Sequence, residues 1–304
     1  MLLLALLSTG VGVGSLTEDG GDRAALLLSA SRLPRTLALI LTGASLAIAG
    51  LLMQLLVRNR FVEPSTAGTM DFAALGLLLV TLAAPGLALI GKMAVAAVCA
   101  LAGTALFLLL IRRIPLRSLV LVPLVGIMLG GVVGAVTTFI AYRLDLMQML
   151  ATWMTGDFSG ILAGRYELLW LALGATVLAW LAADRFTVAG LGEEYATSLG
   201  LSYGRVLAFG LTVVAVVSAV VVVTSGVIPF LGLVVPNLVS LVLGDSARRG
   251  IPVVALVGAA FVLACDVLGR VVRFPYEIPL GSVVGVLGAV IFLVLLLRRS
   301  PDVR

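Results

Sequence analysis

The sequence contains no histidine among its 304 residues, and Lys92 is its only lysine. Haem ligation, an HExxH metalloprotease helix, imidazole general-base catalysis and most transition-metal sites are excluded with the histidine. Charge is scarce: 12% of the residues are Asp, Glu, Lys or Arg, against about 25% in a soluble domain. So few charges cannot keep a surface of this size wet, which argues against a water-soluble enzyme and against a disordered chain. The net charge of +5 gives no nucleic-acid footprint, because the arginines are scattered between apolar runs. Cys99 and Cys265 each sit inside an apolar run, with no metal or redox spacing, and read as small buried hydrophobes. No GxxxxGK[ST] or HExxH motif occurs, so the chain cannot hydrolyse ATP by itself, and without histidine it offers a membrane enzyme no polar catalytic cluster.

What is present is apolar. Hydrophobic residues make up 62% of the chain, and the mean hydropathy is +1.24. The apolar runs are continuous rather than alternating, which predicts membrane helices and not a β-barrel. At roughly 20 residues per crossing, the chain has room for about ten spans in a single transmembrane domain, 1–304. The breaks made by charges, Pro and Gly place them at about 1–16, 36–56, 67–84, 87–111, 118–141, 166–183, 206–224, 228–243, 251–268 and 279–297, with a short amphipathic piece at 147–154. The start has no basic n-region, so residues 1–16 read as a short first span rather than a cleaved leader. The 34 glycines suit close helix packing.

The placement of the charges is more informative than their number. With both termini inside, 12 of the 20 basic residues fall on the cytoplasmic side, in the sense of the positive-inside rule. Outer arginines run against that rule, and they cluster: Arg32 with Arg35 before the second span, Arg270 with Arg273 after the ninth. Either lipid phosphates or an acidic partner on the outer face would account for them. Asp71 and Lys92 are expected to pair near the ends of the third and fourth spans, and Asp266 with Arg270 has the i,i+4 spacing of a helical ion pair. The longest polar segment is 184–205. Within it Gly192-Glu193-Glu194 opens a short helix with acids in its first turn, and Gly200 ends it. That segment is a plain connector or a lever against a cytoplasmic partner.

Four ordered blocks on this span pattern carry a family resemblance. They are Arg32-Leu33-Pro34-Arg35-Thr36 with Gly43-Ala44-Ser45, Gly50 and Gln54; Arg58-Asn59-Arg60-Phe61-Val62-Glu63-Pro64 with Thr66-Ala67-Gly68; Leu191-Gly192-Glu193-Glu194-Tyr195-Ala196 with Leu199-Gly200-Leu201; and Gly226-Val227-Ile228-Pro229-Phe230-Leu231-Gly232 through Pro236-Asn237. Pro275-Tyr276-Glu277-Ile278-Pro279-Leu280-Gly281 fits as well. The chain resembles the iron-siderophore and vitamin B12 permeases of binding-protein-dependent ABC importers. The resemblance implies an all-α, polytopic type II importer permease in the cell (inner) membrane, with ten helices. It implies a second permease subunit, identical or not, two ATP-binding subunits and an extracytoplasmic solute-binding protein. Acids of that binding protein would meet Arg32 and Arg35, joined by Arg270 and Arg273. Gly192, Glu193, Glu194, Ser198, Leu199 and Gly200 would form the ATPase-coupling helix, and Asn59 and Phe61 would narrow the cytoplasmic end of the pathway. The cargo would be a ferric-siderophore, already chelated, so neither a metal cage nor a cofactor is expected.

The sequence departs from the common family pattern in places. Asn237 stands where a histidine is usual, Ser240 where an arginine is usual, and Asn59-Arg60-Phe61 where Asn-Pro-Leu is usual. These variants resemble the subgroup for catecholate-type siderophores and count against vitamin B12. An ion- or proton-coupled secondary transporter is the alternative outside the family, with Pro229 and Pro236 as the signs of a broken helix. A vitamin B12 or haem importer permease is the alternative within it.

Overall fold

The computed structural model describes residues 1–11, 25–111, 121–164, 166–244 and 246–298. The polar loop expected at 17–23, Arg112, Arg113, Arg117, Arg165 and the tail from 299 lie outside the described residues. Among the described residues every regular element is a helix. In chain order they are α1 (Leu2–Gly10), α2 (Leu33–Val57, entered through a π-helical turn at Leu28–Arg32), α3 (Thr69–Ala83), α4 (Leu89–Ile111), α5 (Leu121–Arg143) and α6 (Met147–Met154). Then follow α7 (Leu169–Leu181), α8 (Ala183–Ala189), α9 (Glu193–Ser198), α10 (Tyr203–Ser225), α11 (Leu231–Leu243), α12 (Ala247–Val272) and α13 (Leu280–Arg298).

Six helices are long and apolar enough to cross a bilayer, or seven if α7 and α8, bent by 68°, count as one span. That is fewer than the ten expected, and the reason lies in the backbone. Helices α3 and α11 are apolar but short. Each is preceded by non-helical chain, residues 59–68 before α3 and 226–230 before α11. Residues 58–66 are mostly polar and hold Pro64, and Pro229 interrupts 226–230, so each helix begins only past these breaks and stays short of a full crossing.

Helix α2 is the hub. It packs against α7, α10, α11 and α12, and most of its side chains from Thr36 to Val57 are buried. Two glycine contacts set how closely its neighbours approach. Gly43 lies against Gly258 of α12, where a Cβ on Gly43 would stand 2.7 Å from the Gly258 carbonyl oxygen. Gly50 lies against Gly232 in the first turn of α11, where a Cβ would stand 2.0 Å from the Gly232 carbonyl oxygen. Small residues at a membrane interface work in this way, letting backbones touch where lipid gives no hydrophobic drive for association. Gly50 is seven residues before the end of α2, so α11 begins about 10 Å inside that end. At the opposite extreme, α5 and α13 leave much of their apolar surface uncovered.

Asp71 and Lys92 do not pair among the described residues. Both lie at the start of their helices, and α3 and α4 are antiparallel neighbours. Asp71 is therefore about 18 Å along α3 from the turn that leads to Lys92. Its carboxylate lies instead over Gly130 and Gly134 of α5.

Because the Gly50–Gly232 contact is backbone against backbone, no side-chain rotation can relieve an added methyl. Gly50→Ala is expected to cost about 3 kcal/mol, the upper end for overpacking. Thermal unfolding of the purified chain in detergent reads this directly, and an unchanged midpoint would mean that α2 and α11 can separate without loss.

Candidate functional site

Three groups of polar residues stand out against the apolar bundle: an outer charge cluster, a cytoplasmic helix and a non-helical loop between them. The outer cluster begins with a problem of α1. A nine-residue helix leaves its last carbonyls without helical partners. Arg32 Nη1 donates to the Thr9 carbonyl oxygen at 2.9 Å. Arg270 Nη1 donates to the carbonyl oxygens of Ser8 at 2.9 Å and Val11 at 2.5 Å, and its Nη2 donates to Ser8 Oγ at 2.8 Å. Two guanidinium groups thus close the C-terminal end of α1, where the helix dipole also favours positive charge.

The counter-charge is Asp266, one turn before Arg270 on α12. It is 3% exposed and lies between Arg270, at 2.5 Å, and Arg35 of α2, at 2.8 Å. Arg35 reaches on to Glu277 at 2.8 Å. The i,i+4 pair read from sequence is present, and it is one link of a chain Arg270–Asp266–Arg35–Glu277 that ties α1, α2, α12 and the segment before α13 together. Of the four outer arginines, Arg32 and Arg270 are buried, Arg35 is nearly so and only Arg273 is exposed, with its guanidinium over the Tyr276 ring.

On the other side, Gly192 precedes α9 at φ +116°, a conformation that L side chains rarely adopt, and Gly200 follows it at φ +78°. Glycine at both ends gives α9 its sharp limits. Ala196 is buried, while Glu193, Glu194, Tyr195, Ser198 and Leu199 are exposed. The helix therefore presents two carboxylates and two large apolar side chains outward. A Cβ on Gly192 would stand 2.8 Å from Arg58 Nη1, so the start of α9 rests on the residue that ends α2.

Arg58 takes a left-handed conformation, φ 54°, and turns the chain out of α2 into residues 59–68. Asn59 Oδ1 accepts from the Phe61 amide at 2.8 Å, which folds the loop back on itself. The Phe61 ring meets Phe292 of α13 edge-on, with centroids 5.8 Å apart. Together with Asn237, Leu241 and Leu295 they line an apolar cleft of about 330 Å³. On the α5 side, Gly126 and Gly130 admit the same loop, since a Cβ on Gly126 would stand 2.1 Å from the Thr66 carbonyl oxygen.

Sequence reasoning reached Asn59 and Phe61 but not what holds them. Asn237 Nδ2 donates to the Arg60 carbonyl oxygen at 2.8 Å, and Gln54 Nε2 donates to the Gly232 carbonyl oxygen at 3.2 Å. Glu63 is 2% exposed and its Oε1 accepts from the Phe230 amide at 2.8 Å. The position of Asn237 was visible as a departure from pattern. Glu63 carried no such sign, because an acid beside a proline in a loop reads as solvated.

The architecture is thus that of a polytopic membrane protein with broken helices, a charge cluster at one end of the bundle and a short exposed helix at the other, and with no catalytic constellation among the described residues. The chain belongs to the FecCD transport family, whose model matches residues 2–298. It is 46% identical over 304 residues to the petrobactin import system permease protein YclN of Bacillus subtilis (strain 168), covering 99% of this chain and 96% of that one. Identity to the ferric-anguibactin transport system permease protein FatD of Vibrio anguillarum is 43%, covering 94% and 91%. To the vitamin B12 import system permease protein BtuC of Serratia proteamaculans it is 39%, covering 93% and 85%. Among solved structures, a metal-chelate type ABC transporter in an inward-facing conformation superposes with a TM-score of 0.82 at 24% identity, covering 98% and 97%. That likeness shows the fold.

Asp266→Ala would leave Arg35 and Arg270 buried without their shared counter-ion, and is expected to destabilise the chain by about 3–5 kcal/mol. Arg273→Ala, on the exposed rim, should change stability by no more than about 0.5 kcal/mol. Parallel thermal melts in detergent separate the two, and equal melts would overturn the distinction between buried and rim arginines.

Proposed function

We propose that this chain is the membrane permease of an ABC importer that moves a ferric-siderophore across the cell membrane, driven by separate ATP-binding subunits. The observation that carries the reading is near end-to-end identity to permeases named for petrobactin and anguibactin import, on a chain with no P-loop of its own. The vitamin B12 relatives are less similar, which places B12 second as the cargo. A proton-coupled carrier would need deep carboxylates able to exchange protons; Glu63 and Asp266 are both engaged by protein donors, which leaves the half-buried Asp71 of α3 to that reading.

In this reading the four outer arginines divide their work. Arg273, with the exposed edge of Arg35, meets the acids of the binding protein. Arg32 and Arg270 keep α1 and α2 in place beneath them. On the cytoplasmic side, α9 is the contact with the ATPase. Its motion passes through Arg58 to the loop holding Asn59 and Phe61, which opens and closes the inner end of the path. The cargo arrives as a finished chelate, so the walls need only be wide and weakly binding.

The test of function is uptake. Cells lacking this permease should lose import of a radiolabelled ferric catecholate siderophore and keep vitamin B12 import, and plasmid-borne wild type should restore it. Loss of B12 import alone would overturn the cargo assignment. Glu193→Ala with Glu194→Ala should lower uptake several-fold and weaken co-purification of the ATPase. Arg273→Glu should slow association of the binding protein by about tenfold at low salt, as rim charges act mainly on encounter. Unchanged association kinetics would remove Arg273 from the docking surface.

A further inference from the structure

Glu63 is a buried acid that the proposed transport cycle leaves unused. An ionisable group at membrane depth is expensive and marks function by default. Here its surroundings are unusually complete. The carboxylate stands at the start of α11, where Phe230 has a left-handed backbone, φ 63°. Oε1 accepts from the Phe230 amide at 2.8 Å, and Ser65 Oγ donates to it from within the loop. A Cβ on Gly232 would stand 3.1 Å from Oε2, so glycine there makes room for the carboxylate. A helix that begins inside the membrane exposes N–H groups and the positive end of its dipole. The protein fills that position with an acid from its own loop.

The loop is held unequally on its two sides. Towards α11 it has the Glu63 contacts and the bond from Asn237 to the Arg60 carbonyl oxygen. Towards α13 the ring contact between Phe61 and Phe292 is apolar and has no directional bond. Hydrogen bonds to a charged group in a dry site are strong, whereas one aromatic edge contact adds about 0.5–1.5 kcal/mol.

We propose that Glu63 is a positioning residue that fastens the gate loop to the start of α11, so that loop and helix move as one body. The inner end of the path then opens at the Phe61–Phe292 contact and not between the loop and α11. This deepens the gate reading of Asn59 and Phe61 and rests on it. It assigns the opening joint to one side of the loop, and to Glu63 the role of keeping the other side shut.

The test uses the assembled transporter in proteoliposomes, with Cys99 and Cys265 replaced by serine and Leu241→Cys placed in the cleft behind Phe61. A membrane-impermeant thiol reagent on the cytoplasmic side reports whether the cleft is open. If Leu241→Cys labels at the same rate with and without ATP, the gate reading itself fails, whatever Glu63 does. If labelling depends on nucleotide, Glu63→Gln should raise the rate in the closed state by about tenfold, the equivalent of one lost charge-assisted bond. ATP hydrolysis should at the same time become less dependent on the binding protein. An unchanged closed-state rate and unchanged coupling would overturn the latch while leaving the gate intact. Should Glu63→Gln fail to assemble, Ser65→Ala removes one donor to the carboxylate and should raise closed-state labelling several-fold. No change in Ser65→Ala would then mean that Glu63 serves folding alone, which also overturns the proposal.

Discussion

A backbone amide or carbonyl inside a bilayer finds no water, so every departure from helix at that depth must be satisfied by the protein itself. That constraint organises this molecule. The chain leaves the helix before α3 and before α11, and at each place the exposed groups are met by something specific. Glu63 and Gln54 serve the start of α11, and Asn237 and Asn59 serve the loop. The glycines of α2, α5 and α11 are the steric half of the same solution, since only bare backbone lets a loop and a helix start lie this close.

The same logic at the outer face turns arginines inward. The charge of Arg32, Arg35 and Arg270 goes first to the orphan carbonyls of α1 and to Asp266, and of the four clustered arginines Arg273 is left on the surface. A buried cluster of this kind adds little net stability over an apolar packing, because desolvation offsets most of the attraction. Its value is directional: Asp266 accepts hydrogen bonds from Arg35 of α2 while pairing by charge with Arg270 of its own helix, so it fixes the relative rotation of α2 and α12 at that end of the bundle.

How much of this could be read beforehand follows from which interactions are local. The short helix between glycines at 192 and 200 was legible, because acids in a first turn and glycines at both ends are local signals. The Asp266–Arg270 pair was legible for the same reason. The outer arginine clusters were visible as clusters, but their partners are carbonyl oxygens of α1 more than twenty residues away, which no side-chain pattern encodes. Ten spans were expected and six or seven helices of full crossing length appear among the described residues, because hydropathy registers where apolar chain lies and not whether its helix reaches a full crossing, as the short α3 and α11 show. Asp71 and Lys92 looked like neighbours in a hairpin, yet the antiparallel turn sets them at opposite ends. Glu63 was hidden most completely: its partners are N–H groups, and those become available only once a helix starts in mid-membrane.

The anchoring of α1 has a consequence for how the molecule is made. Ser8 and its main fastening, Arg270, are separated by 262 residues. At roughly 5–20 residues per second, the ribosome takes on the order of tens of seconds to deliver that guanidinium after α1 emerges. Helix α1 is thus fully secured only long after its own synthesis, and during that interval Ser8 and its neighbouring carbonyls must find other donors. Helix α1 is in this sense a late-closing seam, and its docking reports that α12 has been inserted.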